Sequence, residues 1–132
     1  MARYALPADL VRLAISANAL TGITSDAQQV ALDAASSKAE GYLGAAFRTP
    51  LLAWGDDVKL AVCQIAAFAL LSGRGFAPQG AGSNDAVLTS HDAAIGWLKD
   101  VARGHVKPAG VTDTSPSAVS VSTVSSKPQR GW

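Results

Sequence analysis

The sequence predicts an all-α protein: a four-helix bundle with a long, buried central helix and an extended C-terminal arm able to add a β-strand to a partner. Three observations carry this expectation. Alanine and leucine recur at three- and four-residue spacings, which places side chains along one face of a helix. Gly22 with Thr24-Ser25, Arg48-Thr49-Pro50 and the glycine-rich stretch 73–83 punctuate those runs. From His105 onward the helical pattern stops, and Pro116 and Pro128 exclude its continuation. The chain therefore divides into a helical body, residues 1–104, and an arm, residues 105–132.

A first short helix begins at Pro7-Ala8-Asp9-Leu10. Proline suits a first turn, where its missing N–H is no loss, and an early aspartate complements the helix dipole. Leu10, Leu13 and Ala14 share its inner face. Ser25-x-x-Gln28 has the form of a capping box and opens a second helix, from Asp26 to Phe47. Its expected apolar stripe is Ala31, Ala35, Ala39, Tyr42, Leu43 and Ala46, over a length of roughly 33 Å. Pro50 disfavours helical geometry at Thr49 and ends it. Leu51, Leu52 and Trp54 form an apolar connection. Asp56-Asp57 then opens a third helix that runs to Ser72, with Gly73 as its stop. From Val58 to Leu71 this helix is apolar on nearly every side, as a buried helix is. A fourth helix starts at Asn84 or Ser90 and ends at Arg103 before Gly104; Ala94, Trp97, Leu98 and Val101 mark its buried stripe.

Composition limits the function. Of 132 residues, 48% are hydrophobic and 16% charged, against about 25% charged in an average soluble domain. So sparse a charge leaves surface for partners to cover. The net charge is +1, with eight basic and nine acidic side chains in residues 1–104, and Lys107, Lys127 and Arg130 against Asp113 in the rest. Nucleic-acid binders concentrate basic charge on one face, so duplex DNA is not an expected ligand. The alternative of a small helical DNA-binding or regulatory module would need a basic recognition helix, and the fourth helix offers Lys99 and Arg103. The longest apolar run, Leu60 to Leu71, is shorter than the ~20 residues that cross a bilayer. The N-terminus lacks a signal-peptide pattern, and Cys63 within an apolar run reads as a core residue in a reducing cytosol. A soluble protein made in the cytoplasm is expected.

Catalytic equipment is not expected either. Gly73-Arg74-Gly75 through Gly82 lacks the GK[ST] ending of a phosphate loop and follows a helix rather than a strand. Ser90-His91-Asp92 looks inviting, but adjacent helical residues point in different directions; His91 is expected on the surface of a first helical turn. His105 suits the C-terminal end of a helix. One cysteine and two distant histidines do not supply four zinc ligands. The chain is expected to be no enzyme and to hold no cofactor or metal. Trp97 falls on the core stripe, while Trp54 fits core or interface equally.

The arm is the informative segment. In Val119-Ser120-Val121-Ser122-Thr123 apolar residues alternate with polar ones, as in a half-buried strand. Arg130-Gly131-Trp132 closes the arm with residue types enriched at binding hot spots. A docking arm uses Val119, Val121, Val124 and Trp132; a solubilising tail has little need of them.

With these elements placed, the chain resembles the small head–tail connector (adaptor) proteins of Mu-like tailed bacteriophages. Tyr4, Pro7, Asp9 and Leu10 resemble the family's opening Y-x-x-P-x-D-L. Ala39-Glu40-Gly41-Tyr42-Leu43 with Phe47 and Pro50-Leu51 is similar to its second-helix end, and Cys63, Ile65 and Ala66 to its central helix. Asp92-Ala93, Trp97-Leu98, Asp100-Val101-Ala102 and Gly104 resemble its most specific stretch, D-A-x-x-W-L-x-D-V-A-x-G. Two departures stand out: the glycine-rich loop at 73–83, and an arm tip reduced to Lys127, Arg130, Gly131 and Trp132. The resemblance implies a structural virion protein at the head–tail junction. It implies a ring, commonly of twelve copies, beneath the portal protein, extending the DNA exit channel and offering a surface to the next neck or tail protein. DNA would be passing cargo, and no membrane is involved. On this reading Val119, Val121, Lys127, Arg130 and Trp132 are the expected portal contacts. Arg74 and Phe76 are the expected loop contacts to a neighbouring copy or neck protein.

Overall fold

A computed structural model describes residues 3–74 and 81–113; the side chains of 73, 74 and 81–85 lie outside that description. The described residues form four α-helices: α1 (Pro7–Leu13), α2 (Ser25–Leu43), α3 (Asp56–Arg74) and α4 (Ala81–Ala102). A 3₁₀ turn at Ala17–Leu20 joins the first two. No strand occurs among the described residues, so the all-α bundle holds; one isolated antiparallel bridge pairs Ala53 with Thr112. Helix α3 packs on α1, α2 and α4, which makes it the centre of the core.

Each boundary has a local cause. At α1, Pro7 enters the first turn and the Asp9 carboxylate accepts the Leu6 N–H at 3.0 Å. Arg12 then pairs with Asp9 and with Asp56, tying α1 to the start of α3. At α2 the cap is Thr24, whose Oγ1 accepts the Ala27 N–H at 3.1 Å. The expected capping box at Ser25 is therefore displaced by one residue. The helix also ends at Leu43 rather than Phe47. Past Gly44 the amides of Ala45 and Ala46 turn to Tyr42 and Leu43, three residues back, which tightens and unwinds the last turn.

That early end accompanies a rotated face. Leu32, Ala35, Ser36, Ala39 and Leu43 are buried, Ala31 and Tyr42 are half-buried, and Ala46 is exposed. Ser36 is fully buried yet satisfied: its Oγ donates to the Leu32 carbonyl at 2.8 Å and accepts the Tyr4 N–H at 3.1 Å.

Helix α3 buries Val58, Ala61, Val62, Cys63, Ile65, Ala66 and Ala67. It is less enclosed than its composition suggests. Leu60, Gln64, Phe68 and Leu70 are half-buried and Ala69 is exposed, because four helices of unequal length leave its flanks open. It also continues through Gly73 to Arg74, beyond the expected stop. Burial pushes the Cys63 thiol up to about 12, so at neutral pH it stays protonated and unreactive. Helix α4 begins at Ala81, ahead of both expected starts, and buries Ala94, Leu98 and Val101. Trp97 lies against this core but only half-buried. Gly104, at φ +81°, ends the helix in a Schellman turn: its N–H donates to Val101 O and that of His105 to Asp100 O.

The N-terminal segment is held by Tyr4, almost wholly buried. Its hydroxyl donates to Glu40 Oε2 at 2.7 Å and accepts the Leu51 N–H at 3.1 Å. Its carbonyl accepts Trp54 Nε1–H at 2.9 Å, and the two rings meet edge to face at 4.6 Å. Trp54, open between core and interface in the sequence, is thus fixed to the body.

Candidate functional site

The chain beyond α4 does not leave the body at once. Residues 105–113 run back along the α2–α3 connection as a strap, pinned at successive points. The Asp57 carboxylate, which accepts the Val58 N–H at 2.9 Å, also accepts the Ala109 N–H at 2.8 Å. Thr112 exchanges backbone hydrogen bonds with Ala53, and its carbonyl also accepts the Leu52 N–H at 2.7 Å. Asp113 accepts the Arg48 N–H at 2.9 Å. Within the strap Pro108 is buried, and Gly110 turns the chain at φ +67°. The Ala109 carbonyl comes so near Gly55 that a Cβ there would lie 2.9 Å from its oxygen. Asp56-Asp57 is therefore more than a helix start: Asp57 holds the root of the arm.

Two grooves flank α3. One, of about 290 Å³, lies between the N-terminal half of α3 and the C-terminal half of α4, walled by Leu60, Ala61, Ala93, Ala94 and Trp97 with Asp57 at its mouth. The other, of about 270 Å³, lies across α2, α3 and α4, with Ala34, Ile65, Phe68 and Ala69 in its walls and Lys38 and His91 at its edge. Both have alanine-rich floors, which let another backbone approach closely. A wider opening at Gly44–Thr49, about 520 Å³, is a shallow concavity around a turn with no charged group but Arg48.

No group of three or more His, Cys, Asp or Glu side chains converges among the described residues. His91 differs from its expected place: it sits inside α4, 17% exposed, with its ring 4.3 Å from that of Phe68. The α4 start at Ala81 moves it out of the first turn. Its Nδ1 lies 3.1 Å from Asp92 Oδ1, so neighbouring helical side chains do meet here, but no hydrogen bond joins it to Ser90. No helix among the described residues is long and apolar enough to cross a membrane.

Of the residues expected to make contacts, Val119, Val121, Lys127, Arg130, Trp132 and Phe76 lie outside the described residues, as does the Arg74 side chain at the end of α3. The structure adds two features to them: the arm's root at Asp113 and the groove beside Asp57. The glycines at 55 and 110 are the sequence signal for the strap, since close backbone approach and a left-handed turn both call for glycine.

A family model described as Bacteriophage Mu, Gp36 matches residues 1–125. The match continues past Asp113 through Val119, Val121 and Val124, and stops before Lys127, Arg130 and Trp132. No curated protein and no solved structure matches the chain.

Proposed function

The chain belongs to the Bacteriophage Mu Gp36 family, and from that premise we propose that it is a structural protein of the virion: a head–tail adaptor that binds the portal and forms a ring extending the DNA exit channel. The observation that carries the proposal is the strapped root of the arm. A root pinned through Asp57, Thr112 and Asp113 fixes the point on the body at which the arm begins. Fixing the root in advance reduces the ordering cost of docking. Repeated around a ring, many such arms bind a symmetric partner with avidity beyond that of each one.

The body fits this role. Its low charge lets DNA pass without sticking, and its surface carries isolated apolar side chains, Leu6, Val11, Val30, Leu52 and Leu88, for neighbours and neck proteins to cover. The basic-aromatic tip, Lys127, Arg130 and Trp132, is the anchor on the portal, and Arg74 and Phe76 face a neighbour or the next neck protein. Assembly takes place in the host cytoplasm and ends at the head–tail junction.

Deleting residues 117–132 tests the proposal, because it leaves the strap and all four helices intact. The truncated protein is expected to keep its helical circular dichroism and thermal midpoint while losing capture by immobilised portal. Undiminished capture would overturn the adaptor reading of the arm.

A further inference from the structure

We propose that residues 117–124 of one copy, with Val119, Val121 and Val124, dock in the α3–α4 groove of a second copy. This deepens the ring reading and rests on it, and it moves Val119 and Val121 from the portal to a neighbouring adaptor. Three observations point to this occupant. The first is direction. Between Ala109 and Asp113 the strap passes from Asp57 to Ala53 to Arg48, away from the groove that begins at Asp57. The link from Asp113 to residue 117 spans at most ~14 Å when extended, which sets how near a neighbour's groove must lie to receive the segment.

The second observation is charge. Residues 114–132 contain Lys127 and Arg130 and no acidic side chain. Asp57 is among the residues lining the α3–α4 groove, whereas Lys38 is among those lining the other apolar groove. The docked residues 117–124 are themselves uncharged, so charge acts on their approach: the Lys127 and Arg130 that follow them are drawn toward the first groove and repelled by the second. The third is chemistry. An extended segment with alternate apolar side chains needs an apolar floor that admits its backbone, and partners for its peptide groups. Ala61, Ala93 and Ala94 line it with small side chains that admit a backbone, beside the larger Leu60 and Trp97. Gln64, half-buried on the same wall, offers an amide that donates and accepts and has no hydrogen bond among the described residues. The family match also takes in the valines and leaves out the tip.

The test uses two full-length variants, Ala93→Cys and Val121→Cys, mixed in equal amounts and oxidised with and without portal. The native Cys63 is buried and stays out of the exchange. A disulfide-linked pair containing one chain of each variant is expected. No linked pair under either condition overturns the proposal, and so does a double variant that closes the bond within one chain. Ala93→Arg, at an exposed groove position, gives a second readout: self-association at least tenfold weaker, with an unchanged circular dichroism spectrum. Wild-type self-association in that variant counts against the groove. Portal capture by single chains, lost on removing residues 125–132, is scored separately, so failure of the adaptor reading and failure of this inference give different results.

Discussion

Replacing Tyr4 with alanine is expected to lower the unfolding free energy by about 4 kcal/mol, the loss typical of removing a buried aromatic side chain from a core. The ring meets Trp54 edge to face and belongs to the buried core. Tyr4→Phe separates the polar part of the effect. It keeps the ring but leaves the Glu40 carboxylate and the Leu51 N–H without the hydroxyl that serves both, which costs about 2 kcal/mol for partly buried groups. Urea titrations of the three proteins check this; a Tyr4→Phe loss below about 0.5 kcal/mol would show the hydroxyl network to be idle. The same hydroxyl makes stability depend on alkaline pH. Burial raises the Tyr4 pKa, the Leu51 N–H opposes that, and Glu40 adds to it, leaving the hydroxyl at about 12. Above the ordinary tyrosine value near 10 the unfolded chain loses this proton while the folded one keeps it. The folded state then binds more protons, and stability falls as pH rises from 10 to 12. Tyr4→Phe should flatten that part of the profile.

The second large effect is expected at Gly55. Its Cβ position lies 2.9 Å from the Ala109 carbonyl oxygen, a backbone atom with little freedom to move. Gly55→Ala therefore has to lift the strap, weakening the Asp57–Ala109, Ala53–Thr112 and Arg48–Asp113 bonds together. The expected loss is about 2–3 kcal/mol, at about 1 kcal/mol for each hydrogen bond. Hydrogen exchange distinguishes this from general destabilisation: the Ala109 and Thr112 amides should lose protection while the α3 core keeps its own. Uniform loss of protection would mean that the strap is not a separate unit. A Gly110→Ala change also acts on the strap, but through the strain of φ +67° rather than through contact.

Helix existence is legible in the sequence because its signals are local. Pro7 with Asp9, and Asp56 with Asp57, mark starts by chemistry that acts within one turn. Boundaries and faces are harder. Thr24 and Ser25 are equally good caps as text, and only the chain's approach decides that Thr24 Oγ1 meets the Ala27 amide. The expected α2 stripe rests on alanines, which pack on either side. It lacks Ser36, a polar residue whose burial depends on Tyr4 more than 30 positions away. The apolar surround of α3 suggests full enclosure, yet its neighbours leave Leu60 and Gln64 facing a groove. His91 differs in environment because α4 starts at Ala81, which takes it out of the first turn. The strap is least legible. Asp57 reads as a helix-start charge in sequence, and its second partner, Ala109, is brought to it only by the turn of two helices. The contacts assigned to Val119, Val121, Lys127, Arg130 and Trp132 depend on partners, so no property of the isolated body decides them.

The strap also sets an order of events. Its hydrogen bonds join residues 52 to 65 positions apart, and each therefore closes a loop containing nearly all of α3 and the whole of α4. Such contacts carry the entropy of closure before they return any energy, so they are expected to form after the local helices and the hairpin of α3 on α4. Interactions absent from the folding transition state slow unfolding without speeding folding. The strap accordingly acts as a late check on the body. A chain still emerging from the ribosome, or one with α4 undocked, has no fixed root for its arm. Competence for the proposed assembly would then wait on completion of the fold.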